Sequence, residues 1–102
     1  RELLAQDGAL IVVAHVDPRK KEIVGEVEVV TRGFVYVKES EELLNAIKQQ
    51  FIKLSDKHLN GKYINWSEYK KDAKNIISKF VYQETKRNPI TIPVIISTET
   101  TN

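Results

Sequence analysis

The sequence predicts an α+β domain, a small two-layer sandwich in which two helices cover one face of a three-stranded sheet in the order β-β-α-α-β. Three observations carry this. Residues 9–16 form an unbroken aliphatic run, residues 40–58 and 65–87 repeat apolar side chains every three or four positions, and residues 89–97 alternate with a period of two. The 102 residues are enough for one domain with one core, spanning 1–102, and too few for two.

Ala9-Leu10-Ile11-Val12-Val13-Ala14-His15-Val16 is rich in β-branched residues and apolar on both faces, which predicts a strand covered on both sides. Asp17-Pro18 opens a turn, since proline presets φ and the aspartate can bond forward to the backbone. Arg19-Lys20-Lys21-Glu22 is its solvated tip, and Ile23 to Thr31 returns as a second strand, with Val27 and Val29 on one face and Glu26 and Glu28 on the other. The simplest arrangement is an antiparallel hairpin with a loop of about six residues. Gly33 marks a bulge or bend, after which Phe34-Val35-Tyr36-Val37 extends toward the first helix.

Ser40 is the predicted N-cap of that helix, with Glu41 and Glu42 at the positive end of its dipole. Leu43, Leu44, Ile47, Phe51 and Leu54 make its apolar stripe, which runs to about His58, and Asn60-Gly61 supplies a left-handed stop. A second helix opens at Asn65, with Glu68 three residues on as a capping box, and carries Trp66, Tyr69, Ala73, Ile76, Ile77 and Phe80 inward. Asn88, preceding Pro89, ends it. In the last strand Ile90, Ile92, Val94 and Ile96 alternate with Thr91, Pro93, Ile95 and Ser97, and Pro93 predicts an edge strand or a bulge. Thr98 to Asn102 is predicted to fray.

Two helices cover one face of such a sheet, yet the first strand is apolar on both. Ala9, Ile11, Val13 and His15 share one side, and Leu10, Val12, Ala14 and Val16 share the other. Whichever set does not meet the helices needs a second cover, from another copy of the chain or a neighbouring domain. The candidate self-association face is Leu10, Val12, Ala14 and Val16, joined by Val24 and Ile95.

Hydrophobic residues at 41% and charged residues at 29% suit a globular fold and exclude a disordered tail. With no cysteine there is neither a disulfide framework nor a thiolate metal site. Methionine is absent even at position 1, which predicts a processed chain or, as the favoured reading, a segment cut from something longer. No run approaches the roughly 18–20 apolar residues of a membrane span, and no signal peptide precedes residue 9, so a cytoplasmic location without a membrane partner is expected. Net charge is +2, but unevenly spread: residues 1–51 hold 7 basic and 9 acidic side chains, residues 52–102 hold 9 and 5.

Catalytic material is sparse. His15 and His58 are far apart and fit no metal-binding spacing, so His15 reads as a packed or interface residue and His58 as a helix-end cation. Glu26 and Glu28 read as a solvated strand face rather than an acid–base pair. Asn65-Trp66-Ser67 fits the glycosylation pattern but reads as a helix cap. There is no phosphate-binding glycine loop and no nucleophile elbow, so no catalytic or metal-binding residue is assigned. Lys70, Lys71 and Lys74 on the outer face of the second helix, with Lys86 and Arg87 at its end, form a candidate phosphate-binding patch. The plainer reading of that patch is solubility, and Trp66, Tyr69 and Phe80 read as core rather than base-stacking platforms.

Three ordered segments resemble one family. Arg1-Glu2-Leu3-Leu4-Ala5-Gln6-Asp7-Gly8 before an aliphatic strand is similar to the start of the ribonuclease J C-terminal domain. Thr31-Arg32-Gly33-Phe34-Val35-Tyr36-Val37 resembles its S-R-G-F-V-Y-V segment, and Thr85-Lys86-Arg87-Asn88-Pro89-Ile90-Thr91-Ile92-Pro93-Val94-Ile95 resembles its T-x-R-R/K-P-x-I-x-P-V-I ending. Asn88, usually basic in the family, and Thr91, commonly a larger apolar residue, depart from the pattern.

The resemblance implies a parent enzyme of RNA processing and mRNA decay, a zinc-dependent endoribonuclease and 5′-to-3′ exoribonuclease. Its metallo-β-lactamase and β-CASP domains would lie upstream of Arg1. None of that family's catalytic motifs has a counterpart here, so zinc belongs to the parent and no cofactor to this segment. The resemblance also implies a role in assembly, with partners that are a second copy (dimer or tetramer) or a paralogous ribonuclease J subunit. The alternative is an accessory RNA-binding module acting through Lys70, Lys71, Lys74 and Lys86. Arg32, Gly33, Phe34, Thr85, Arg87, Pro89 and Pro93 are expected to be structural: glycine for the bend, Phe34 for the core, Pro89 to start the last strand, and the arginines paired with acidic neighbours.

Overall fold

Strand β1 (Ala9–Asp17) lies in the middle of a three-stranded sheet, with β2 (Glu22–Arg32) antiparallel on one side and β3 (Ile90–Ser97) parallel on the other. Helices α1 (Ser40–Leu59) and α2 (Trp66–Thr85) make the connection between β2 and β3. The computed structural model describes residues 8–33 and 40–98. The Phe34–Val37 extension, the Ser40 capping side chain and the ends at 1–7 and 99–102 lie outside the described residues.

The predicted element order and architecture are the observed ones. Pro93 sits on an edge strand, paired with Val12, where its missing N–H leaves no gap in a central ladder. The hairpin loop is tighter than expected. Asp17 and Glu22 already pair, leaving residues 18–21, because the Asp17 carboxylate accepts from the backbone N–H of Arg19 (2.9 Å) and Lys20 (3.2 Å) while Lys21 turns left-handed at φ 57°. Lys21 then donates its ammonium to the carbonyls of Gly61 and Lys62 (2.8 Å), tying the hairpin to the α1–α2 connection.

Asn60-Gly61 does not form the expected left-handed stop, as neither has a positive φ. The left-handed cap is at the end of α2, where Lys86 (φ 61°) returns its N–H to the Tyr82 carbonyl. Asn65 does cap α2, its side chain accepting from Glu68 N–H at 3.2 Å. Thr98 is not frayed. Its N–H and hydroxyl both bond the Val16 carbonyl, at 2.8 and 3.1 Å.

The core lies between the sheet and the helices. Leu10, Val12, Ala14 and Val16 are all at 0% exposure there, with Ile47 and Phe51 from α1 and Tyr69, Ala73, Ile77 and Val81 from α2. The candidate face is therefore corrected: Leu10, Val12, Ala14 and Val16 are the set that meets the helices, and Ala9, Ile11, Val13 and His15 are the set left open. Val24, paired with His15, is on the open side as expected, whereas Ile95, paired with Ala14, is buried on the helix side.

Between Val13 and His15 the β1–β2 register slips, and Gly25 (φ 72°) lies in the slip. Glu26 and Glu28 are separated by it. Glu28 pairs with Val13, while Glu26 lines a groove with Asn45, Lys48 and Gln49 of α1.

Candidate self-association surface

Cα partners across a sheet share a face, so the registers lay out the open side in four rows. They are Arg32–Ala9–Ile90, Val30–Ile11–Ile92, Glu28–Val13–Val94 and Val24–His15–Ile96. Ile92 is 41% exposed and Ile96 40%, with Val24, Val30 and Ile90 in the same range. Strand β3 is turned opposite to the usual sense. Its Ile90, Ile92, Val94 and Ile96 point away from the helices, while Thr91, Pro93 and Ser97 share the inward side with Ile95. Thr91 is buried and accommodated there by the Ser78 hydroxyl, which donates to its Oγ1 at 2.8 Å. A strand that spends its β-branched side on the open face and its small polar side on the core has an apolar patch that water alone covers poorly.

The period-two alternation of residues 90–97 was the signal for this patch. Periodicity names the sides of a strand without saying which is inward. His15 lies within the patch, half-buried, flanked by Val24 and Ile96.

The basic residues do not converge. Lys70, Lys71 and Lys74 are exposed near the start of α2. Lys86 lies about 18–24 Å further along the axis. Its ammonium is 5.3 Å from the centre of the half-exposed Tyr82 ring, a cation–π contact the sequence reading missed. Trp66, Tyr69 and Phe80 do pack into or against the core.

The family-motif residues hold the chain's turns. Thr85 donates to the Val81 carbonyl (2.8 Å) and accepts from Arg87 N–H (3.0 Å), closing α2, and Pro89 is buried at the entry to β3. Gly33 takes φ 71° at the end of β2, and a Cβ there would stand 3.5 Å from the Gly8 Cα. Phe34 lies outside the described residues. The expected ion pairs of Arg32 and Arg87 are not formed among the described residues.

His58, placed at the end of α1, does more than close that helix. Its Nε2 meets Asp72 Oδ2 at 2.9 Å across the helix pair, its ring stacks on Tyr69 at 5.1 Å, and Lys57 Nζ reaches the same carboxylate oxygen at 3.1 Å. These bonds, His58 first, hold the Asp72 carboxyl below the usual carboxylate range. Beneath them, the Tyr69 hydroxyl donates to Ser55 Oγ (2.6 Å), which donates to the Phe51 carbonyl (2.7 Å), and burial pushes the Tyr69 phenol up. The cluster pins α1 to α2. With Ser55 fully buried it offers no nucleophile to a substrate. Among the described residues no three His, Cys, Asp or Glu side chains are grouped to hold a metal ion, and no helix is long and apolar enough to cross a membrane.

Comparison with known proteins points to one family. Residues 1–98 match the family described as the ribonuclease J C-terminal domain. Proteins named ribonuclease J 2 are similar: that of Staphylococcus epidermidis is 45% identical over 95 residues, that of Staphylococcus saprophyticus 44% and that of Staphylococcus aureus 43%, each over 93% of this chain. The chain spans 17% of the length of these relatives. With the match running through nearly every residue of the sheet and both helices, the chain belongs to the ribonuclease J C-terminal domain family.

Proposed function

We propose that this domain is an assembly module of a ribonuclease J, joining protomers through the open face of its sheet. The observation that carries the reading is the orientation of β3, whose Ile90, Ile92, Val94 and Ile96 are presented outward. The partner is a second copy of the chain or a paralogous ribonuclease J subunit. The longer protein would be a zinc-dependent endoribonuclease and 5′-to-3′ exoribonuclease of RNA processing and mRNA decay, acting in the cytoplasm. The described residues here do not fit a zinc site, so no step of that chemistry is assigned to them.

The mechanism is one of effective concentration. Linking two catalytic bodies through a modest interface makes the second contact with a single-stranded RNA intramolecular, so neither contact needs to be tight alone. Sedimentation equilibrium of the chain across micromolar concentrations, with and without a short single-stranded RNA, tests the reading. A concentration-dependent dimer indifferent to RNA is expected, reduced to monomer by Ile92→Asp. A monomer at every concentration overturns self-association and leaves the paralogous subunit as the one partner to test by mixing the two chains.

A second reading, direct RNA contact, draws on one observation: Lys86 over the half-exposed Tyr82 ring offers a base-stacking face beside a cation. It requires binding that falls steeply with salt and weakens on Tyr82→Ala.

A further inference from the structure

We infer that two copies of the chain pack open face to open face with β2 antiparallel to its partner's β2, about a twofold axis along the Val30–Ile11–Ile92 row, so that Arg32 of each copy meets the partner's Glu28. This rests on the reading that the open face self-associates, and adds the geometry of the pairing.

Within the four rows the formal charges are Arg32 and Glu28, both exposed, both on the β2 edge, and one row to either side of Val30. Neither has an ion-pair partner among the described residues. Rows two residues apart are about 7 Å apart, so the two charges stand about 13 Å from each other along the strand. A closed pair of identical faces requires a twofold axis in the plane between them. Stacked sheets keep their strands roughly aligned at a spacing of about 10 Å, a gap that an arginine and a glutamate reaching toward each other can span.

Aligned strands leave two directions for the axis. An axis along the strands lays β2 over the partner's β3, setting Arg32 against Ile90 and Glu28 against Val94 of the other copy. Both charges would then lose water with nothing to replace it. An axis across the strands lays β2 over β2, and its position decides the contacts. Centred on the Glu28 or the Arg32 row, it opposes like charges. Centred between the Val30 and Glu28 rows, it sets Arg32 against Val24. Centred on the Val30 row it opposes Arg32 and Glu28 twice, with Ile11, Val30 and Ile92 each meeting its own copy. This is the arrangement among these that pairs both charges and buries the isoleucines against isoleucines.

The same geometry sets the strength. Three strands about 4.8 Å apart and eight residues long give a face of roughly 14 by 26 Å, or about 370 Å² before side-chain relief. Counted over both copies that is about 740 Å², below the standard size of specific interfaces and in the range of weak, transient contacts, so dissociation in the micromolar range or weaker is expected. It also ranks the rows: Val24–His15–Ile96 extends past the partner's Arg32 row and is covered least.

The test is sedimentation equilibrium of the 102-residue chain and its Glu28→Arg, Arg32→Glu and doubly exchanged variants, with circular dichroism confirming that each is folded. Both sites are exposed, so the fold is not at stake. Each single exchange opposes like charges twice and should weaken the dimer at least tenfold. The double exchange should restore it to within about threefold of the parent, as in any double-mutant cycle of a direct pair. Ile92→Asp should weaken the dimer more than Ile96→Asp. A dimeric parent whose double variant is as weak as the two single effects combined overturns the arrangement while leaving self-association standing. A monomeric parent overturns self-association itself, and this arrangement with it.

Discussion

His58 of α1 and Asp72 of α2 meet through Nε2 and Oδ2 at 2.9 Å, joining the two helices at the end away from their chain crossover to β3. The contact is more than a surface pair, because His58 is 12% exposed in its side chain and stacked on the buried Tyr69 ring.

Asp72 should make the domain acid-sensitive in a defined sense. Its folded carboxyl titrates below its unfolded value, so its contribution is fully present above about pH 4 and is lost as pH falls through the lower, folded value. Asp72→Asn should flatten that acid limb in urea titrations at stepped pH. At neutral pH it should cost about 0.5–1 kcal/mol, the partners being Lys57 and His58. An unchanged acid limb would show that other carboxylates set it.

The Tyr69–Ser55 pair predicts an asymmetry between its two truncations. Tyr69→Phe leaves Ser55 bonded to the Phe51 carbonyl, a loss of about 1 kcal/mol, whereas Ser55→Ala strands a buried phenol and should cost about 1–3 kcal/mol. Denaturant midpoints at constant slope would rank them. Spectrophotometric titration should find the Tyr69 phenol ionising above the usual tyrosine range, since burial raises it.

Substitutions along the strands should separate folding from association. Leu10→Ala, at 0% exposure under the helices, should cost about 2–5 kcal/mol, and Ile92→Ala, at 41% exposure, should leave the thermal transition of the monomer nearly in place while weakening the dimer. Equal destabilisation by both would mean that the open face is covered within one chain.

Much of this fold was legible because its signals are local. Asn65 before Glu68, the three- and four-residue stripes, and proline within an edge strand each act over a few residues. The sidedness of β1 was not, because Leu10, Val12, Ala14 and Val16 are matched by Ile11 and Val13 in apolar character, and His15, the polar residue on the free side, reads equally as a packed or an interface residue. The tertiary packing of α1 and α2 decides it. Strand β3 misled for a related reason: its more hydrophobic side is outward, so Ile95 alone among its branched aliphatic residues is buried. The left-handed cap at Lys86 carries no glycine or asparagine to announce it, and the Tyr82–Lys86 contact follows from that cap.

Gly25 offers the last prediction, because it holds the register slip that brings Val24 beside His15. It adopts φ 72°, yet a Cβ built there meets nothing within 4 Å. Gly25→Ala should therefore cost only the left-handed strain of a non-glycine residue, about 1–2 kcal/mol, and Gly25→Asn less, since asparagine tolerates that region. The two can be ranked by thermal unfolding. The slip lies at the least-covered row, so both variants should keep the dimer within a few-fold of the parent. An alanine variant as stable as the parent would show that residues 24–27 can reach the same pairing without a left-handed residue.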